Sequence, residues 1–195
     1  MKEIIFFSNN KNKIKEISNL FIKFNYKLLS LNDFKNTESP IENGKTFKDN
    51  AKIKSIYGYK KFNKLCFADD SGICIDALNG APGINSKQYL ESEKNQNTTL
   101  NKIISLAKNK DRYKAFFETS ICLTINTNKQ IFFTGRVHGK ISLKIRGNHG
   151  FGYDPIFIPN GMNLTFSEMT IYQKNLLSHR AIAIKKLSKY LTNSV

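Results

Sequence analysis

Apolar residues recur along this chain with two periods, and the changes from one to the other divide it into strands and helices. Residues 4–7 (Ile4, Ile5, Phe6, Phe7) form a short continuous apolar run, the pattern of a buried strand. After a polar turn, Ile14, Ile17, Leu20, Phe21 and Phe24 follow at helical spacing. Residues 28–31 predict a second strand, 32–44 a loop, and 46 to about 59 a helix carrying Phe47, Ala51, Ile53 and Ile56. A third strand is predicted over 65–68. From Asp69 to Gly83 the density of Gly, Asp and Pro predicts turns around a short apolar stretch at 73–78. Residues 98–107 read as a helix, and 115–125 with 130–144 as two long strands joined in a hairpin at Asn126-Thr127-Asn128. A loop over 147–155, a short strand at 156–158 and a closing helix from Ser178, with Ile182, Ile184 and Leu187, complete the reading. Strands alternating with helices, plus one hairpin, define an α/β fold with a mixed sheet. The periodicity leaves the strand order open.

The 195 residues, with 15 Phe and 8 Tyr, supply enough apolar surface for a packed core and exclude wholesale disorder. One domain over 1–195 is expected, with room for two lobes. No run approaches the roughly 18–20 apolar residues of a membrane span, and the opening Met1-Lys2-Glu3 with four apolar residues is too short for a signal peptide. A cytoplasmic protein without a membrane partner is therefore expected. Cys66, Cys74 and Cys122 are odd in number and contain no CxxC, which argues for buried reduced thiols over a disulfide framework or a zinc site. The formal charge of +16 suggests a basic nucleic-acid-binding module. However, 27 of the 31 cations are Lys in an Asn-rich chain, and they are scattered. A solvated surface with no stable nucleic-acid partner is the better reading, and the nucleic-acid module stands as the alternative from another class.

Chemistry concentrates in four stretches. Asp69-Asp70-Ser71-Gly72 follows an apolar strand, and adjacent carboxylates there repel unless a cation lies beside them. Neighbouring strand residues point to opposite faces, so both carboxylates share one face only if the chain turns, which Gly72 would permit. Mg²⁺ suits such a site, needing one or two carboxylates beside substrate phosphates; a solvated turn is the ordinary alternative. Ser8-Asn9-Asn10-Lys11-Asn12-Lys13 lies between the first strand and helix without being a Walker A loop. Cations at a helix start oppose the helix dipole, so Lys11 and Lys13 point to a bound anion, or else to a surface loop with Asn capping. Ser178-His179-Arg180 repeats that pattern, with Ser178 as N-cap and two potential cations in the first turn. Gly147-Asn148-His149-Gly150-Phe151-Gly152-Tyr153-Asp154-Pro155 sets glycines around aromatics. Its glycines would allow close approach to a ligand, Phe151 or Tyr153 could stack on a flat ring, and Asp154 adds an acceptor; packing on its own domain is the alternative.

Taken in order, these stretches resemble the Ham1-like family of inosine triphosphate pyrophosphatases over nearly the whole chain. The resemblance runs through Phe7 to Lys13, Glu42-Asn43-Gly44-Lys45-Thr46-Phe47 with Asn50-Ala51, and Ala68 to Gly72 with Asp76, Leu78, Gly80 to Gly83 and Ser86. It continues through Gly147 and Gly150 to Pro155 with Phe157, and closes with Lys174 and Ser178-His179-Arg180. It implies an elongated mixed sheet flanked by helices, two lobes with the active site in the cleft between them, and a homodimer. The implied reaction is Mg²⁺-dependent hydrolysis of the α–β phosphoanhydride of ITP, dITP and XTP to a monophosphate and pyrophosphate, keeping these nucleotides out of DNA and RNA. Maf-like proteins, acting on other damaged or pyrimidine nucleotides, are the alternative within this class.

Residue by residue, the resemblance implies Asp70 as general base and metal ligand, with Glu42 as second metal carboxylate and Asp69 as a further catalytic carboxylate. Ser8, Asn9, Asn10, Lys11, Asn12 and Lys13 would form the substrate loop, with Ser71 an added donor. Phe151, with Gly152, Tyr153 and Asp154, would hold the base, and Lys174, His179 and Arg180 would donate to its 6-oxo edge. Such donors would face the 6-amino group of adenine donor to donor and so reject it. Asn9 stands where the family commonly has Gly, Lys87-Gln88 replaces Ala-Arg, and Gln173 replaces Glu.

Overall fold

A computed structural model describes residues 2–21, 26–34 and 37–193, so Phe24 lies outside the described residues. The elements are β1 (Lys2–Phe6), α1 (Lys11–Phe21), β2 (Tyr26–Ser30), α2 (Phe47–Phe62), β3 (Cys66–Ile75), α3 (Ser86–Leu90), α4 (Gln96–Lys110), β4 (Lys114–Asn126), β5 (Lys129–Ile141), β6 (Phe157–Pro159), α5 (Ile171–Leu177) and α6 (His179–Asn193). The six strands form one sheet in the order β2-β1-β3-β4-β5-β6. β1 runs parallel to β2, with Ile4 opposite Leu28, and parallel to β3, while β5 and β6 are antiparallel. This is the mixed α/β sheet that the periodicity implies.

Contacts divide the chain into two compact units, the first comprising residues up to Asp70, Thr119–Gly135 and those from Arg180 on. The second comprises Ser71–Glu118 and Arg136–His179. In the first unit the apolar run of β1 is split between two cores. Ile4 and Phe6 join Ile17 and Phe21 of α1, Phe67 of β3 and Ile184 and Leu187 of α6. Ile5 and Phe7 join Cys66, Ala68 and Leu31, with Tyr57 and Tyr59 of α2 packed against them. Alternate side chains of a strand point to opposite faces, so covering both faces requires a continuous apolar run. The second unit has its own core, centred on Ile73, Ile75, Leu100, Ile103, Phe117, Phe157 and Phe166.

The largest departure from the sequence reading is in β3, where turns are expected over 69–83 around the apolar stretch 73–78. The strand instead runs unbroken through Asp69-Asp70-Ser71-Gly72 to Ile75, and a short 3-10 helix follows at Asp76–Leu78. Two buried carboxylates are tolerated there because basic side chains from the flanking helices meet them, a tertiary effect outside local propensity. Helices α3 and α5 lie where no helix was expected; at 5 and 7 residues they carry too few turns to show a period. Of the thiols, Cys66 and Cys122 are buried and Cys74 is half-buried, all three free. No helix among the described residues is long and apolar enough to cross a membrane.

Candidate active site

Strand alternation continues from the apolar part of β3 into its carboxylates. Phe67 belongs to the face covered by α1 and α6, and Asp69 finds its partners there. Lys13 Nζ lies 2.9 Å and Arg180 Nε 3.5 Å from Asp69 Oδ2. Ala68 belongs to the other face, with α2, and Asp70 follows it. Asn50 Nδ2 donates to Asp70 Oδ2 at 3.1 Å, and Lys54 Nζ lies 3.7 Å from Asp70 Oδ1. Lys54 also donates to Glu42 Oε2 at 2.7 Å. The adjacent carboxylates therefore serve two layers, and no turn brings them to one face.

Their electrostatics diverge accordingly. Burial raises the pKa of Asp70, and the opposing pull of Lys54 and Lys13 does not cancel it. Burial would do the same to Asp69, but Lys13, Arg180 and Lys54 outweigh it and hold that carboxyl well below the usual range. Lys13 is pushed down by desolvation despite Asp69, whereas Asp70, Asp69 and Glu42 overcome the desolvation of Lys54 and raise it.

In the loop after β1, Asn10 Oδ1 accepts from the backbone N–H groups of Asn12 and Lys13 and caps α1, while Ser8 Oγ accepts from Asn10 N–H. Asn9 Nδ2 donates to Ser39 Oγ at 2.7 Å, and Lys11 and Asn12 are exposed in the first turn. The cations that oppose the dipoles of α1 and α6 thus meet the protein's own carboxylates: Lys13 meets Asp69, and Arg180 meets Glu16 as well as Asp69. Ser178 precedes α6 with extended backbone, at φ −68° and ψ 154°.

The second unit holds the aromatic loop. Lys174, buried on α5, donates to Asp154 Oδ2 at 2.6 Å, and the same oxygen accepts from Phe151 N–H at 2.8 Å. The Lys174 ammonium lies 5.0 Å from the Phe151 ring centre and 5.5 Å from that of Phe166. A cation over an aromatic face with a carboxylate beside it is well satisfied, so this end of the loop is held firmly. Of the two candidate stacking rings, Phe151 is half-buried, whereas Tyr153 is a core residue whose hydroxyl donates to Ser86 O at 2.7 Å. His179 stacks on Phe117, centroids 4.7 Å apart and 9° from parallel. Two glycines serve the chain itself where close approach to a ligand was expected. At φ +82° a side chain on Gly147 would collide with the Ser167 backbone, and at φ +76° one on Gly150 would collide with the Asp154 carboxylate. A Cβ placed on Gly152 would meet Leu90 Cδ2 at 3.9 Å, an ordinary van der Waals contact, and Ser71 follows Asp70 in β3, half-buried.

Glu16 and Lys54 escaped the sequence reading. Phe47, Asn50, Ala51, Lys54, Ser55 and Gly58 are the buried residues of α2, so Lys54 falls in the apolar stripe, and a Lys at a stripe position is the signal that could have found it. Glu16 precedes buried Ile17 on α1 without any such mark.

Fold and cluster together define an α/β protein with a buried centre of paired carboxylates and basic side chains in one unit and a cation-braced aromatic loop in the other. The model of the Ham1 family matches residues 4–190, and the chain belongs to that family. It is 40% identical over 190 residues to the dITP/XTP pyrophosphatase of Christiangramia forsetii, covering 97% of this chain and 99% of that one. The dITP/XTP pyrophosphatase of Bacillus subtilis is 39% identical over 193 residues, 98% of each chain. The structure of a HAM1 protein from Coxiella burnetii superposes with a TM-score of 0.88 at 34% identity, covering 98% of this chain and 99% of that chain.

Proposed function

We propose that the chain, acting as one domain over 1–195, is a pyrophosphatase for dITP, ITP and XTP, cleaving the α–β phosphoanhydride to a monophosphate and pyrophosphate. The reading rests above all on the divergence of Asp69 and Asp70, adjacent in sequence yet set on opposite faces of β3 with opposite pKa shifts. Adjacent carboxylates driven apart in this way divide into a proton acceptor and a permanent charge. Asp70, whose raised pKa brings it nearer neutrality, accepts the proton of the attacking water. Asp69 stays ionised and orients Lys13 toward the phosphates and Arg180 toward the base. Ser8, Asn9, Asn10, Lys11, Asn12 and Ser71 complete the phosphate-binding set.

Glu42 and Asp70 already converge on one cationic group, the Lys54 ammonium, and both offer hard oxygen donors. This donor set fits Mg²⁺, which uses one or two protein carboxylates together with substrate phosphates. Among the described residues no group of three or more His, Cys, Asp or Glu side chains converges as a metal cage. When bound, the ion would neutralise phosphate charge and lower the pKa of a coordinated water.

Phe151 stacks on the purine, with Gly152, Tyr153 and Asp154 shaping the loop, and Lys174, His179 and Arg180 donate toward its 6-oxo group. Adenine presents an amine there and leaves those donors unpaired. Phe151→Ala is expected to raise KM for dITP about 5- to 100-fold with kcat little changed, given stacking worth ~1–3 kcal/mol per base. Steady-state kinetics on dITP checks this; an unaltered KM would remove Phe151 from the base site. A homodimer is the assembly that the family resemblance suggests, with the cytoplasm as its setting on the sequence reading, and light scattering reads the stoichiometry.

The reaction is tested by ³¹P NMR of purified protein with ITP and Mg²⁺, beside ATP, a pyrimidine triphosphate and a metal-free control. Pyrophosphate should appear from ITP, far more slowly from ATP or the pyrimidine, and not without metal. Orthophosphate as first product, or preference for the pyrimidine, would overturn the assignment.

A further inference from the structure

Helix α2 carries Asn50 and Lys54 four residues apart on one face, and both meet Asp70 of β3. The helix approaches the sheet closely through small side chains. Its buried stripe includes Ala51, Ser55 and Gly58, and a side chain added at Gly58 would collide with Cys66 Sγ and the Phe7 ring. Tyr57, Tyr59 and Phe62, in its C-terminal half, pack against the apolar core. Nearer to Asn50 and Lys54, the contact with β4 is polar. The Ser55 and Thr124 hydroxyls, both fully buried, hydrogen-bond to each other at 2.5 Å, and the Cys122 thiol bonds with both. Ile121 and Leu123 of β4 enter the core under α1 and α6, so strand alternation puts Cys122 and Thr124 on the α2 face. All of these residues lie in the first unit.

A hydrogen bond between two buried hydroxyls tolerates little displacement, because a group pulled out of reach has no water to replace its partner. Advancing α2 by one residue would move it about 1.5 Å and turn it about 100°, enough to break the bond. Thr124 is β-branched and therefore stiff at χ1, and it stands on the strand beside the one that bears Asp70. The bond thus ties α2 to the sheet independently of Asp70, at the residue next to Lys54. We propose that Ser55 and Thr124 are positioning residues: their hydrogen bond sets the register of α2 on the sheet and so holds Asn50 and Lys54 against Asp70. Neither hydroxyl belongs to the phosphate-binding or base-binding set, and the inference rests on the reading of Asp70 as proton acceptor.

The test compares the double variant Ser55→Ala with Thr124→Val against the single variant Thr124→Ser, by steady-state kinetics on dITP well below Tm. The double variant removes both hydroxyls and leaves neither unpaired, so its Tm should stay within about 2 °C of wild type. Without the register bond its kcat should fall roughly tenfold with KM altered less than about twofold, since misplacement on the order of 1 Å costs up to about 10²-fold. Thr124→Ser keeps the hydroxyl and loses a methyl group, so Tm should fall while kcat stays within about twofold of wild type. A merely structural pair predicts the reverse. Full kcat in the double variant, or a kcat that follows Tm across both variants, would overturn the proposal. A readout free of turnover is the ¹⁵N–¹H signal of the Asn50 carboxamide, which donates to Asp70. It should move in the double variant and keep its place in Thr124→Ser. Wild-type protein that does not turn over dITP would defeat the functional reading, and the Asn50 signal would then decide the register role alone. An unmoved signal in the double variant would refute that role.

Discussion

Asp70→Asn yields a folded protein whose kcat falls by about 10²–10⁴-fold, the usual contribution of a positioned general base. Its stability at neutral pH is expected to equal or exceed that of the wild type. The sign follows from burial, which raises the folded pKa of Asp70 against the pull of Lys54 and Lys13. A carboxyl with a raised folded pKa binds its proton more tightly in the native state. Its contribution to stability therefore declines as pH rises from the unfolded carboxylate value, ~3.9, through the folded one. Asn resembles the protonated form and does not carry that penalty, and its carboxamide oxygen can still accept from Asn50. Thermal unfolding at pH 7 together with single-turnover kinetics on dITP would show Tm held and turnover lost. An active Asp70→Asn enzyme would remove Asp70 as proton acceptor, and a collapse of Tm would mean that pairing with Lys54 outweighs desolvation.

The neighbouring carboxylate should behave in the opposite way. Asp69→Asn is expected to cost about 3–5 kcal/mol, the range for breaking a buried ion pair by removing one partner, and to lower Tm by the order of 10 °C. Lys13 and Arg180 both rely on this group, whose side chain is 1% exposed, and its loss leaves two cations in a poorly hydrated place. The pH dependence also inverts. With a folded pKa held far below the usual range, Asp69 contributes stability above ~3.9 that is lost as pH falls through the folded value. Acid titration of wild type and Asp69→Asn should therefore show the gap in Tm, wide at pH 7, narrowing toward low pH. A gap independent of pH, or a Tm within about 2 °C of wild type at neutrality, would show that the two cations find other partners.

Much of this was legible in the chain, for physical reasons that can be named. The run Ile4 to Phe7 has one explanation, a strand covered on both faces, and its alternate residues do enter two cores. The β4–β5 hairpin at Asn126 to Asn128 follows from two long strand patterns around a polar turn. Asp70, Lys13 and Arg180 stood out as charges in places that local rules disfavour, and the structure brings Asp69, Lys13 and Arg180 together. The path of β3 was misread because Gly, Asp and Ser are weak strand formers, and their tolerance here comes from Lys13, Lys54 and Arg180, remote in sequence. Lys54 and Glu16 were missed for a related reason: each looks like a solvated helix residue until its partner is known.

The sequence by itself determined the elements that are long and strongly periodic, the α/β class, and the segments in which chemistry is concentrated. These are properties of neighbours along the chain, written in spacings of two and of three to four residues. Only the tertiary structure decided that Asp69 and Asp70 serve different layers, that Lys54 spans Glu42 and Asp70, and that Glu16 holds Arg180. The pKa of a carboxyl depends on what packs against it, and here those groups arrive from helices far away in sequence. Two like residues one peptide apart thereby acquire opposite charge behaviour.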